Sequence, residues 1–164
     1  MPALSTIRTS LHGFFHWVTS GAAAVDQFAV NRRVLLHLPS GAATATASVA
    51  EFPVYLDSRV PNGATVTAVK YVPAGTLTAH DTNYITLTLK HRTAAGASAT
   101  TVATVNTKIT GGTGNWSAFS PVAVTVDTAN ATIPANGMLT ATVAKVAAGV
   151  DLPAGTLVVE YQEL

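Results

Sequence analysis

Tyr84-Ile85-Thr86-Leu87-Thr88-Leu89-Lys90 alternates without a break. Ile85, Leu87 and Leu89 fall on one face of an extended chain, and Tyr84, Thr86, Thr88 and Lys90 on the other. Successive side chains of a strand point to opposite faces, so this stretch reads as a half-buried β-strand. The same grammar returns near the C-terminus. Leu139, Ala141 and Val143 alternate with Thr140, Thr142 and Ala144, and Leu157, Val159 and Tyr161 with Thr156, Val158 and Glu160.

Working outward, short apolar or alternating runs rich in Val, Thr, Ile and Tyr predict strands over 33–38, 43–49, 51–56, 64–72, 83–91, 99–105, 121–126, 138–146 and 155–162. Turn chemistry separates them. Pro61-Asn62-Gly63, Pro73-Ala74-Gly75, Pro134-Ala135-Asn136-Gly137 and Pro153-Ala154-Gly155 each join a φ-fixing Pro to a permissive Gly. Gly111-Gly112-Thr113-Gly114 reads as a flexible loop. No long helical pattern supplies crossovers for a parallel sheet. The expected fold is all-β, an antiparallel β-sandwich or jelly roll of about eight strands over residues 33–164. One hexapeptide, Val72-Pro73-Ala74-Gly75-Thr76-Leu77, echoes as Leu152-Pro153-Ala154-Gly155-Thr156-Leu157. The echo is either chance within a limited turn vocabulary or the mark of two similar halves.

Residues 1–32 differ from the rest and read as a partly irregular N-terminal arm. The arm holds Leu11-His12-Gly13-Phe14-Phe15-His16-Trp17-Val18, bulky and aromatic without clean alternation. Arg8, the apolar stretch and Ala22-Ala23-Ala24 faintly mimic a secretory leader, but His12, Gly13 and His16 interrupt it, so no leader is expected. Phe14, Phe15, Trp17 and Phe28 each bury a large area and need cover, from their own domain or from a neighbour. Arg32 and Arg33 lie beside them, and aromatic residues with Arg are typical of interfaces. These six are the candidate interface residues.

Composition narrows the function. Only 10% of the 164 residues are charged, against about 25% in an average soluble protein. The formal net charge is +1. Nine Lys and Arg spread along the chain make no basic stripe, so nucleic acid is not an expected partner. No apolar run reaches the roughly 20 residues that span a bilayer. Few charges mean weak repulsion between copies, which suits a subunit that buries surface against its neighbours. There is no cysteine, so disulfides, thiolate metal sites and cysteine nucleophiles are excluded.

Catalytic constellations are also scarce. The eight acids are scattered, with only Glu160 and Glu163 close in sequence. His12 and His16 have a helical metal spacing, but Gly13 stands where the zinc-protease pattern needs Glu, and no third ligand follows. His80-Asp81 reads as a turn, with Asp81 bonding its own backbone. No nucleophile elbow, phosphate loop or dinucleotide fingerprint is present. The expectation is a non-enzyme without metal or cofactor. Asn115-Trp116-Ser117 and Asn130-Ala131-Thr132 match the glycosylation triplet, which is common by chance. Trp116 and Phe119 read either as core or interface anchors or as a sugar-stacking platform.

The stretches Glu51-Phe52-Pro53-Val54-Tyr55-Leu56, Val69-Lys70-Tyr71-Val72-Pro73-Ala74-Gly75, Asn83-Tyr84-Ile85-Thr86-Leu87 and Leu152-Pro153-Ala154-Gly155-Thr156-Leu157 resemble tailed-phage structural proteins, in particular jelly-roll capsid decoration, or cement, proteins. The resemblance is one of style, in Ala, Thr, Val and Gly-rich strands with few charges, and carries no diagnostic motif. It implies a virion protein on the outer capsid surface, assembled in the host cytoplasm. It implies the major capsid protein as partner, and a homo-oligomer, commonly a trimer, that stabilises the head against internal DNA pressure. No family site residues carry over. The alternative is a carbohydrate-binding or fibre/tail β-sandwich module using Trp116, Tyr84 or Tyr71 as stacking rings.

Overall fold

The computed structural model describes residues 31–41, 49–54, 62–93, 99–148 and 150–164. Phe14, Phe15, Trp17 and Phe28, and most of the strand expected over 43–49, lie outside the described residues. Among the described residues ten strands follow in order: β1 Asn31–Leu38, β2 Val49–Val54, β3 Ala64–Pro73, β4 Tyr84–Arg92, β5 Ala99–Asn106, β6 Val122–Ala123, β7 Thr125–Val126, β8 Thr132–Ile133, β9 Met138–Val146 and β10 Gly155–Glu163. Asn31 and Arg32 therefore belong to a strand, two residues before the expected start of the sandwich.

The strands form two antiparallel sheets, a β-sandwich. The first runs β1-β10-β3-β6, with β8 also on β3; the second runs β2-β9-β4-β5-β7. The pairing is nested. β1 pairs with β10, β2 with β9, β3 with β6 and β8, and β4 with β5. Early strands thus meet late ones, as in one long hairpin folded over on itself. The cross pairs β3–β10 and β4–β9 join the nested pairs into sheets.

The alternation read from the sequence places the core. Ile85, Leu87 and Leu89 of β4, Leu139, Ala141 and Val143 of β9, and Leu157, Val159 and Tyr161 of β10 are all buried in it. The run expected as one strand over 121–126 is divided. β6 pairs with β3 in the first sheet and β7 with β5 in the second. Val124 is the corner between them: it is buried, and its N–H donates to the Val69 carbonyl at 2.9 Å. A strand that changes sheets must bend, and the bend ends its regular pairing.

The hexapeptide echo has a local explanation. Its two copies pair with each other. Pro73 stands opposite Gly155, and the Ala74 N–H donates to the Ala154 carbonyl at 2.7 Å. Packing here is tight. The Tyr71 hydroxyl donates to the Pro153 carbonyl at 2.6 Å. A Cβ on Gly155 would lie 2.4 Å from that hydroxyl and 2.5 Å from the Val72 carbonyl oxygen. Only glycine leaves room for this approach.

Candidate interaction surfaces

Arg32 and Arg33 stand on β1, at the edge of the first sheet. Antiparallel register sets each outward residue of β1 against a complement on β10. Asn31 faces Gln162, Arg33 faces Glu160, Leu35 faces Val158 and His37 faces Thr156. The side chains meet accordingly. Gln162 Nε2 donates to Asn31 Oδ1 at 2.8 Å, Arg33 Nη2 to Glu160 Oε1 at 2.7 Å, and His37 Nδ1 lies 3.0 Å from Thr156 Oγ1. Arg32 Nε reaches Glu163 Oε1 at 2.7 Å. Both arginines are thus neutralised by their own sheet. Such exposed pairs hold about 0.2–1 kcal/mol each and fix geometry more than stability. Asn31, Arg32, Arg33, Thr67, Glu160 and Gln162 line a shallow depression of about 580 Å³ here.

The loops 74–83, 107–121 and 150–154 gather at one end of the sandwich, held by bonds such as Phe119 N–H to Pro73 O at 2.7 Å and His80 N–H to Thr107 O at 3.3 Å. Trp116 is one of the most buried residues of the protein. Its ring lies 5.7 Å from that of Tyr71, tilted by 54°, and its Nε1 donates to Thr113 Oγ1 at 2.8 Å. Leu77 and Trp116 exchange both backbone bonds at 2.9 Å. Trp116 is therefore a core anchor. Burial also pushes the Tyr71 phenol well above its usual range. Tyr84 is half-buried, and Lys108 Nζ sits 4.8 Å over its ring centre. The three rings expected to stack on a sugar are thus enclosed or capped. Stacking needs an open face.

Phe119 behaves in the opposite way. It is 77% exposed, and its φ of 59° is left-handed, which a non-glycine residue adopts only under constraint. Ile109, 64% exposed, rides on a firmly tied loop. Asn106 Oδ1 accepts from the Lys108 N–H at 3.1 Å, and Thr113 N–H and Gly114 N–H bond the carbonyls of Asn106 and Lys108 at 3.0 Å each. Asp81 accepts from the Thr110 N–H at 2.7 Å. That amide, with the Thr110 hydroxyl, holds the Asp81 carboxyl below the usual range. His80-Asp81 is a turn, as expected, but the roles differ from expectation. His80 Nδ1 caps the turn by accepting from Thr82 and Asn83 N–H at 3.0 Å, while Asp81 ties down the neighbouring loop.

The outer face of the second sheet carries a row that no linear motif announces. Register aligns Glu51, Thr142, Thr88, Thr104 and Thr125 across all five strands. Arg92 reaches over β9 to Glu51, with Nη2 at 2.7 Å and Nε at 3.1 Å. The adjacent Thr140 hydroxyl and the Arg92 guanidinium lower the Glu51 carboxyl. Among the described residues, no three His, Asp or Glu side chains come together as metal ligands. No protein-family model matches the chain, and no curated protein matches it.

Proposed function

We propose that the chain is a virion structural protein, a head decoration or cement protein that binds the outside of a phage capsid and stabilises it. The nested strand pairing carries this reading. Counting β6, β7 and β8 as one interrupted strand leaves eight strands in two sheets, each early strand paired with its late counterpart. An eight-stranded, doubly folded hairpin is the plan of a jelly roll, an architecture used by viral capsid domains. The chemistry agrees. Charged groups are few, and four ion pairs tie up many of those among the described residues, while Phe119, Ile109, Val150 and Leu35 stand exposed. Such a surface suits association, and the reading assigns the chain no catalysis.

Under this reading the partner is the major capsid protein, and residues 11–33 supply a contact. Co-sedimentation of the full chain with purified heads tests it. Saturable pelleting at a fixed ratio to the major capsid protein is expected, weakened by removal of residues 1–30. A dilution-stable monomer that stays in the supernatant at every concentration contradicts it.

A further inference from the structure

The four sheet edges are not alike. In the first sheet, one edge is formed by β6 and β8, two residues each. In the second sheet, one edge is the two-residue β7, and the other is β2, which carries Pro53. Short strands and Pro are the usual ways of blunting an edge against further pairing. β1 has neither. It runs eight residues, Asn-Arg-Arg-Val-Leu-Leu-His-Leu, without Pro, Gly or acid. Among the described residues no strand pairs with its outer side.

Exposure at this edge agrees with its pairing. Leu35 is 56% exposed, and the Arg33 side chain 63%. The inward residues Val34 and Leu36, with Phe52 of β2 in the opposite sheet, pack on the core but are only partly buried. Their counterparts on β10, Leu157 and Val159, are fully buried. Leu38, at the end of β1, is buried in the core, so the partial exposure along β1 is at Val34 and Leu36.

We propose that this edge pairs with β1 of a second copy of the chain, antiparallel across a two-fold axis, so that the first sheet runs on from one copy into the other. An antiparallel pair of identical strands satisfies both edges at once and closes the assembly. The sequence of β1 suits such a pair when centred on Leu35. Leu35 then faces Leu35 of the second copy, Val34 faces Leu36 and Arg33 faces His37. Over the central residues 34–36 apolar side chains meet apolar ones on both faces, while at each end Arg32 comes opposite Leu38, so the apolar match is confined to the middle of the strand. Charge does not oppose the contact, because Arg32 and Arg33 are already paired with Glu163 and Glu160. A foreign strand would need to match this pattern by chance; a second copy matches it by symmetry. The contact closes a pair, so a trimer is built on some other surface. The inference does not depend on the shell role.

The absence of cysteine makes the test clean. Leu35→Cys places one thiol on the proposed axis, where directly opposed strand residues are close enough for a disulfide. Under mild oxidant this variant is expected to become a covalent dimer at least tenfold faster than Ile109→Cys, whose side chain is 64% exposed at the loop end. Leu35→Lys is expected to weaken the native monomer–dimer equilibrium at least tenfold in sedimentation while leaving the thermal midpoint of the dilute, monomeric chain unchanged. Equal cross-linking rates for the two cysteines overturn the proposal. So does a native chain that stays monomeric throughout the micromolar to millimolar range. A Leu35→Cys thiol that resists alkylation in a strictly monomeric protein also overturns it, since the edge is then covered from within the chain.

Discussion

β10 has two flanks, and they are built differently. Towards β3 it meets a seam with no spare space, where Gly155 lies under the Tyr71 hydroxyl and Trp116 packs on the Tyr71 ring. Towards β1 it meets exposed, chemically matched side chains: Gln162 with Asn31, Glu160 with Arg33, Thr156 with His37. Shape holds the first flank, and complementarity holds the second. A shape-held seam tolerates no change and gives the fold its stability. An edge held by exposed polar pairs loses little when one of those pairs is removed.

Substitutions at the seam should cost the most stability. Trp116→Ala removes a fully buried ring and should cost about 3–5 kcal/mol, read as a large fall in the urea midpoint. Gly155→Ala forces a Cβ against the Tyr71 hydroxyl and the Val72 backbone oxygen; about 2–3 kcal/mol is expected, because backbone cannot yield as a flexible side chain can. Tyr71→Phe keeps the ring but strands the Pro153 carbonyl, for about 1–2 kcal/mol. At the edge, Arg33→Ala should change stability by no more than about 1 kcal/mol, and by less in high salt.

A smaller, pH-dependent effect sharpens the contrast from the second sheet. Burial holds the His91 imidazole below its ordinary 6.5, so the folded chain resists a proton that the unfolded chain accepts. Stability from this group is present above that value and declines as pH falls through the lowered one. Glu51, also lowered, acts the same way further down, with stability lost as pH falls below 4.5. His91→Gln should therefore flatten the upper part of the acid limb in a series of thermal melts, and Glu51→Gln the lower part.

The seam and the edge were not equally legible in the sequence. The long alternating strands were readable, because a two-residue period shows itself without a partner: β4, β9 and β10 sit where Ile85, Leu139 and Leu157 place them, whereas β2 runs through Ala50, where a break between two strands was expected. β8 was invisible, since Thr132–Ile133 is too short to show a period. The division of 121–126 depends on Val124 bonding to Val69, far away in the chain. The glutamate partners of Arg32 and Arg33 and the threonine row of the second sheet exist only once register is known. Trp116 and Phe119, three residues apart, look alike as aromatic residues. One is buried because it bridges to Leu77, and the other is exposed because its left-handed turn aims it outward.

An electron cryomicroscopy reconstruction of phage heads carrying the chain would show where it sits. A two-layered β-sandwich is expected on the outer face of the head lattice, in contact with the major capsid protein, with the first sheet of one copy continued through β1 into that of its neighbour. A head surface without this density, or the same domain found only in the tail, would contradict the decoration role.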